Sequence, residues 1–489
     1  MRKTSNILKG FLKNEALKPI IIMAFLIILG ALISIFTSQF GVKGAGLFFV
    51  AIVGIPSVYF IVVYPKFGIT VLFILAYFIM WFIRLNMVDY PLGTVMDFLQ
   101  ALLILGFFIK QKSNPDWSIF KDPLGGMILI WVLYNVLQIV NPTAESRMAW
   151  LYTIRSVAGV MLLYFVFTYQ IREIKFVRLI LKIWIFLTVI AALYAYKQEL
   201  FGFFYFEEIE IQTPRLRKLL FINGVWRKFS IFSDPVAFSY NMVSCSLFCI
   251  ALLFGPLPGW KKVVLGCLVL FFLSAMLLSG TRGAYVLIPV GIVMLTILNF
   301  NKKVLIFSIF SGILLLFLVY VPTSSPSIKR FQSAFTPSDD ASFNLRAMNQ
   351  KKIQPYIQKH PFGGGLGATG VWGARFSPHS FLAGFPPDSG YVRVAVELGW
   401  VGLFLFCTLM FVILKTGIKN YFEIKDPELK NYCLATVVVI FAYGVGNYPQ
   451  ESFVQFPSNI YFYFFIALIS ITLKIDKMKS QTQLQSNKK

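Results

Sequence analysis

Apolar runs close to 20 residues long recur along the whole chain, and no other feature limits its fold as tightly. The hydrocarbon core of a bilayer is about 30 Å thick, which about 20 helical residues cross. Backbone N–H and C=O groups find no water there, so each crossing must be a helix that satisfies its own polar groups. Only 13% of the residues are charged and the mean hydropathy is +0.73, against about 25% charged residues in soluble domains. We therefore expect an all-α fold: a polytopic helical membrane protein with one membrane domain over 1–489. The expected spans number about 14: 19–37, 44–64, 67–83, 93–109, 124–140, 155–170, 177–196, 236–254, 263–279, 283–300, 304–321, 391–414, 431–447 and 457–473. A basic segment precedes the first apolar run, which lacks a clear small-residue cleavage site and reads as a retained helix.

Charge sets the expected orientation. One set of connecting segments holds 26 of the 45 basic residues and 8 of the 21 acids, a balance of +18, and the other set carries +6. Cytoplasmic loops are the basic ones, so both termini are expected in the cytoplasm, with a cytoplasmic loop at 415–430 and a cytoplasmic tail at 474–489. Two long outer segments follow, 197–235 and 322–390. No nucleic-acid motif accompanies the net charge of +24. The five cysteines all fall in apolar segments and form no CxxC, and only His360 and His379 represent histidine. No metal site and no cofactor are expected.

Several polar groups converge on the expected outer side. Arg282, in SGTRGAY, sits in a very short link between two apolar runs. A charge so placed lines a cavity, binds an anion, or snorkels to the interface. An arginine beside a helix N-terminus suits a phosphate. Arg227 and Lys228 lie just before the eighth span, and Arg346 lies inside the second long segment. Asp388 precedes the apolar run that begins near 391; it is either a helix N-cap or a chemical group, and Glu397 follows nine positions later. The stretch HPFGGGLGATG, His360 to Gly370, follows no expected strand and lacks the Lys-Ser/Thr of a P-loop, so it reads as a loop re-entering the site. Asp339 and Asp340 read as a solvated turn, and His360 and His379 as surface or positioning residues rather than catalysts.

The patches RKFSIFSDP, SGTRGAY, Arg346 followed by HPFGGGLG, and ELGWVG occur in that order over about 225 to 405. In this the chain resembles the O-antigen ligase and O-antigen polymerase superfamily of bacterial envelope glycosyltransferases, related to the SEDS glycan polymerases. The resemblance implies a GT-C-like membrane fold with a large extracytoplasmic loop. It implies a polyprenyl-pyrophosphate-linked saccharide, of the undecaprenyl type, as donor. The pyrophosphate-binding arginines of the family match Arg227 and Arg282. Ligases carry a histidine before a Gly-x-x-Gly spacing, and here Asp388-Ser389, nine residues, Gly399, two residues and Gly402 fit it with Asp in place of His. SEDS polymerases carry a catalytic Asp at that spacing before Glu-Leu-Gly-x-x-Gly, similar to Asp388 with Glu397, Leu398, Gly399 and Gly402.

The expected activity is metal-independent glycosyl transfer at the outer face of the bacterial cytoplasmic membrane. It would polymerise saccharide units into O-antigen, capsule or exopolysaccharide, with Asp388 and Arg282 catalytic. Arg227, Lys228, Arg346, His379 and Glu397 would bind pyrophosphate or glycan. A ligase joining the glycan to lipid A core or protein is the alternative, and a flippase or a non-catalytic glycan-binding subunit are further ones. The partners implied are the lipid-linked donor, a glycan acceptor, the bilayer, and a chain-length regulator or flippase.

Overall fold

The computed structural model describes residues 54–85, 92–222, 224–336, 341–455 and 458–486, with scattered positions between 23 and 41. Met1–Tyr64 and Pro65–Lys489 form separate compact units. The first two expected spans fall largely outside the described residues, apart from a helix at Gly54–Val63.

Short helices at Ser118–Lys121, Tyr205–Ile211 and Pro214–Leu220 apart, the second unit is built of helices in the order α1 (Pro65–Arg84), α2 (Gly93–Ser113), α3 (Pro123–Val140), α4 (Arg147–Gln170), α5 (Ile174–Leu200), α6 (Pro235–Leu253), α7 (Gly259–Leu278) and α8 (Arg282–Leu298). There follow α9 (Lys302–Tyr320), α10 (Pro326–Gln332), α11 (Ala341–Lys359), α12 (Gly370–Phe376), α13 (Gly390–Glu423), α14 (Pro427–Gly446) and α15 (Ser458–Ser486). Among the described residues, eleven helices are long and apolar enough to cross a membrane, and α8 is a shorter apolar helix of 17 residues. Each of the twelve spans expected from residue 67 onward coincides with a helix. The fold is an all-α polytopic membrane protein; among the described residues the strands are a two-residue hairpin, Phe221–Ile222 against Val225–Trp226.

Local chemistry starts the helices. Asp234 accepts from the Val236 and Ala237 amides, with Pro235 at the first helical position of α6. Asp426 and Pro427 do the same for α14, and Asn301 caps α9. Each side chain satisfies N–H groups that the helix leaves orphaned. α6, α14 and α15 form the interior, with most of their residues buried, whereas α9 has almost none buried. In the interior, Tyr77 of α1 hydrogen-bonds Thr188 of α5 at 2.8 Å and Asn241 of α6 at 2.9 Å. Polar groups in an apolar interior must pair across helices in this way.

Hydrogen bonds and ion pairs define the two ends of the bundle. At one end Lys66 meets Glu173, Arg178 meets Glu428, and Lys474 and Arg172 share Asp116. At the other, Arg84 reaches Ser233 and Glu210, Asn141 reaches Phe362, and the Gly390 amide bonds the Asn447 carbonyl. This second end carries the candidate site.

Some expected boundaries differ. The helix expected to end at 414 runs on to Glu423, so only Ile424–Asp426 separates α13 from α14. The expected tail from 474 stays helical to Ser486; its Lys479 pairs with Asp426, and its Asp476 accepts from the backbone amides of Lys425 and Asp426. α4 begins at Arg147 rather than 155, and is irregular: a π turn spans Arg155–Gly159. The long segment 322–390 is not an open loop, since α10, α11 and α12 lie within it.

Candidate functional site

The turn joining α7 to α8 is the centre of a cluster of arginines. Gly280 has φ +58, a left-handed conformation that glycine adopts without strain. Arg227 donates from Nε to the Ser279 carbonyl at 2.9 Å and from Nη2 to Thr281 Oγ1 at 3.0 Å. Arg330, at the end of α10, donates from Nε to the Gly280 carbonyl at 2.5 Å. A Cβ on Gly280 would lie 2.8 Å from that Nε, so glycine is what lets Arg330 close in. Arg282 is the first residue of α8, whose N-cap Thr281 makes no side-chain capping bond. Three guanidinium groups thus surround one turn and an uncapped helix N-terminus. Burial, then the neighbouring Arg330 and Arg282 charges, push the Arg227 guanidinium down to about 10. Like charges held this close favour an anion between them.

Beside this turn opens a cavity of about 650 Å³. Arg282 and Arg346 line it together, with Gln350 and Tyr391. The rest of its wall is largely apolar and is built by Val286, Leu287, Met410, Leu414, Phe441 and Val445 of α8, α13 and α14.

Asp388 stands at the entry to α13. The N-cap is Ser389, and its side chain makes no capping bond. The capping alternative for Asp388 is therefore not what the structure contains. Asp388 is exposed at its outer edge, yet partial desolvation raises its carboxyl above the usual carboxylate range; Arg346 and a hydrogen bond from Asn349 oppose the rise. Arg346 thus faces both Asp388 and the cavity. The amide of Gly390 anchors the segment to the Asn447 carbonyl at 2.9 Å.

The glycine loop docks on α13. At Gly399 the helix breaks, with φ +72 and ψ −179. A Cβ there would sit 1.9 Å from the Pro361 carbonyl oxygen. Tyr134 donates to the freed Leu398 carbonyl at 2.6 Å. The Gly364 and Gly365 amides bond the Val396 and Glu397 carbonyls, each at 2.9 Å. Asn141 and Thr143 clamp the loop from the other side, through the Phe362 and Gly363 carbonyls. His360 lies on Tyr356 with ring centroids 4.0 Å apart.

Three sequence-derived site residues stand away from the arginine cavity. Glu397 is 2% exposed and accepts from Gly367 N at 3.0 Å, Thr369 N at 3.3 Å and Thr369 Oγ1 at 2.5 Å. It also pairs with Arg393, which in turn bonds Glu451. Its carboxylate is thus committed to the loop rather than open to a glycan. Lys228 points away from Arg227, as successive side chains in an extended segment do; it pairs with Glu199 at 3.1 Å and lies over Phe203. His379 is exposed in the turn after α12 and does not line the arginine cavity. Asp339 and Asp340 lie outside the described residues. Among the described residues no group of three or more His, Cys, Asp or Glu side chains is placed to hold a metal ion. Arg330, Asn349 and Glu451 escaped the sequence reading. Only the Lys329–Arg330 pair offered a signal, as one more basic patch in a long segment.

No curated protein matches the chain. Residues 267–407 match the family model described as O-Antigen ligase. That stretch holds Arg282, Arg330, Arg346, the glycine loop, Asp388 and the break at Gly399, and over it the chain is similar to the O-antigen ligase family.

Proposed function

We propose that the chain is a membrane glycosyltransferase that polymerises polyprenyl-pyrophosphate-linked saccharide units at the outer face of the cytoplasmic membrane. The observation that carries this reading is the 650 Å³ cavity with Arg282 and Arg346 on an otherwise largely apolar wall. Such a wall suits a prenyl tail, and arginines suit a diphosphate. In the reaction, the bond from the anomeric carbon to the diphosphate oxygen breaks, and an acceptor hydroxyl oxygen bonds that carbon. The hydroxyl proton passes to Asp388 as general base. The leaving diphosphate gains negative charge, which Arg282 and Arg346 hold, with Arg227 and Arg330 behind them. Four fixed cations make this step independent of a divalent metal. The raised carboxyl of Asp388 makes it a better base than a free aspartate.

A ligase that transfers the finished glycan to lipid A core or protein is the second reading, favoured by the description of the matching family. The test is purified protein incubated with polyprenyl-pyrophosphate-linked oligosaccharide. Lengthened lipid-linked chains support polymerisation. Product formed only after a lipid A core or protein acceptor is added supports the ligase. Asp388→Asn should reduce either product by about 10²- to 10⁴-fold; undiminished turnover would remove Asp388 from the mechanism.

A further inference from the structure

A second concavity lies on the same end of the bundle, across the glycine loop from α13. Its walls are the segment 143–146 ahead of α4, the loop residues Gly364 to Leu366, Tyr356 of α11, and the turn 377–382. It encloses about 60 Å³, and about 420 Å³ with the space open at its mouth. The cleft is shallow, and a ligand would be gripped along one face.

Its chemistry is mixed in a definite way. Tyr356 and Phe381 present two rings, centroids 6.0 Å apart and tilted by 37°. Phe381 is 60% exposed, whereas Leu382 beside it is buried. The turn holds the ring outward by fixed bonds, Ser380 N to the Ser377 carbonyl at 3.0 Å and Leu382 N to Ser380 Oγ at 3.2 Å. Tyr356 is fixed in turn by the His360 ring stacked on it. Around the rings stand the exposed Glu145 carboxylate and the hydroxyls of Thr143, Ser377 and Ser380. Burial and the Glu145 charge keep the Tyr356 phenol protonated, and so a hydrogen-bond donor.

We infer that this cleft binds an uncharged saccharide, with a pyranose face on Phe381 and Tyr356 and its hydroxyls on Glu145 and the Ser and Thr side chains. The C–H bonds of a sugar ring carry partial positive charge and pack on the electron-rich face of an aromatic ring. A carboxylate accepts from two neighbouring hydroxyls at once. An apolar wall with a few convergent polar groups is the usual form of a small-molecule site. The cleft carries no arginine, so it does not compete with the other cavity for a diphosphate. Leu382 is six residues from Asp388, at most about 20 Å even if extended. An oligosaccharide seated in the cleft could thus present its end at Asp388, which makes it the acceptor chain. This last role rests on the proposed transfer reaction; the binding itself does not.

The experiment is saturation-transfer-difference NMR on the purified full chain in a sugar-free detergent. The probes are free glucose, galactose, mannose, rhamnose and N-acetylglucosamine, with their disaccharides. At least one should receive saturation at its ring C–H protons. Phe381→Ala, at an exposed position that tolerates truncation, should weaken its binding by about tenfold or more. Glu145→Gln should weaken it less, and Arg282→Lys should leave it unchanged. Absence of saturation in every probe, or binding indifferent to both Phe381→Ala and Glu145→Gln, overturns the inference. The two readings fail separately. Full turnover by Asp388→Asn would sink the transfer mechanism while sugar binding stands, and loss of sugar binding alone would leave that mechanism intact.

Discussion

Asp388 and the arginines respond to substitution in opposite senses of charge. Asp388 works as a base only when ionised, and burial raises its carboxyl. Turnover should therefore climb with pH through a midpoint above the free-aspartate value of about 3.9. Arg346 opposes that rise, so Arg346→Gln should shift the midpoint to still higher pH as well as lower the plateau; a midpoint that stays put would mean that Arg346 does not act on the base. Asp388→His is the companion variant. Histidine should restore turnover that asparagine lacks, increasingly above about pH 6.5, where the imidazole is neutral. Arg282→Lys keeps the charge but loses the bidentate fork, and should lower turnover strongly at unchanged thermal stability. Much of this was legible in the sequence. Arg282 stands out because two apolar runs leave it almost no loop. Adjacency and polarity reveal nothing of which way a side chain points: Lys228 turns to Glu199, and Glu397 turns to a loop some 30 residues earlier. Arg330 was hidden because its target, the Gly280 carbonyl, is 50 residues away.

The joint between α13 and the glycine loop is the element on which the site's geometry depends. Gly399 adopts φ +72 and ψ −179, a region nearly closed to other residues, and the Pro361 carbonyl fills the space where a Cβ would go. Gly399→Ala should therefore lower stability by about 1–3 kcal/mol from backbone strain alone, with the collision adding to it; thermal unfolding in detergent reads the change. Glu397→Gln replaces one acceptor oxygen by an amide donor among three loop donors, leaving at least one buried donor unpaired. A loss of about 1–3 kcal/mol follows, together with reduced turnover, because the loop and the α13 entry are held by the same side chain. An unchanged melting temperature would show that the carboxylate is dispensable to the joint. At this scale the sequence was informative about existence and type. Apolar length marked the twelve spans. The break inside α13 was not legible. Gly399 and Gly402 sit in an otherwise continuous apolar run, and only the docking of a distant loop shows why the helix opens there.

The two ends of the bundle differ in charge, and this asymmetry carries the proposed orientation. Lys66, Arg172, Arg178 and Lys474 gather at one end, paired in part with Glu173, Glu428 and Asp116. The other end holds the arginine cluster, the cavity mouth, the glycine loop and Asp388. Short basic connections remain in the cytoplasm, because translocating their charges is unfavourable, whereas long segments cross largely regardless of charge. The segments 201–234 and 321–389 at the site end are of the long kind. The site end should therefore face outward, where a polyprenyl-linked donor delivers its saccharide. Cysteine labelling tests this directly. Cys267 and Cys407 are exposed, while Cys245, Cys249 and Cys433 are buried, so Cys267→Ser and Cys407→Ser give a quiet background. In intact cells a membrane-impermeant maleimide should label Lys359→Cys, at the exposed end of α11. Lys425→Cys, between α13 and α14, should react only after the cells are permeabilised. The opposite pattern would turn Asp388 and all four arginines toward the cytoplasm. Transfer at the outer face would then be untenable, and the same cavity would have to take its lipid-linked ligand on the side where such carriers are assembled.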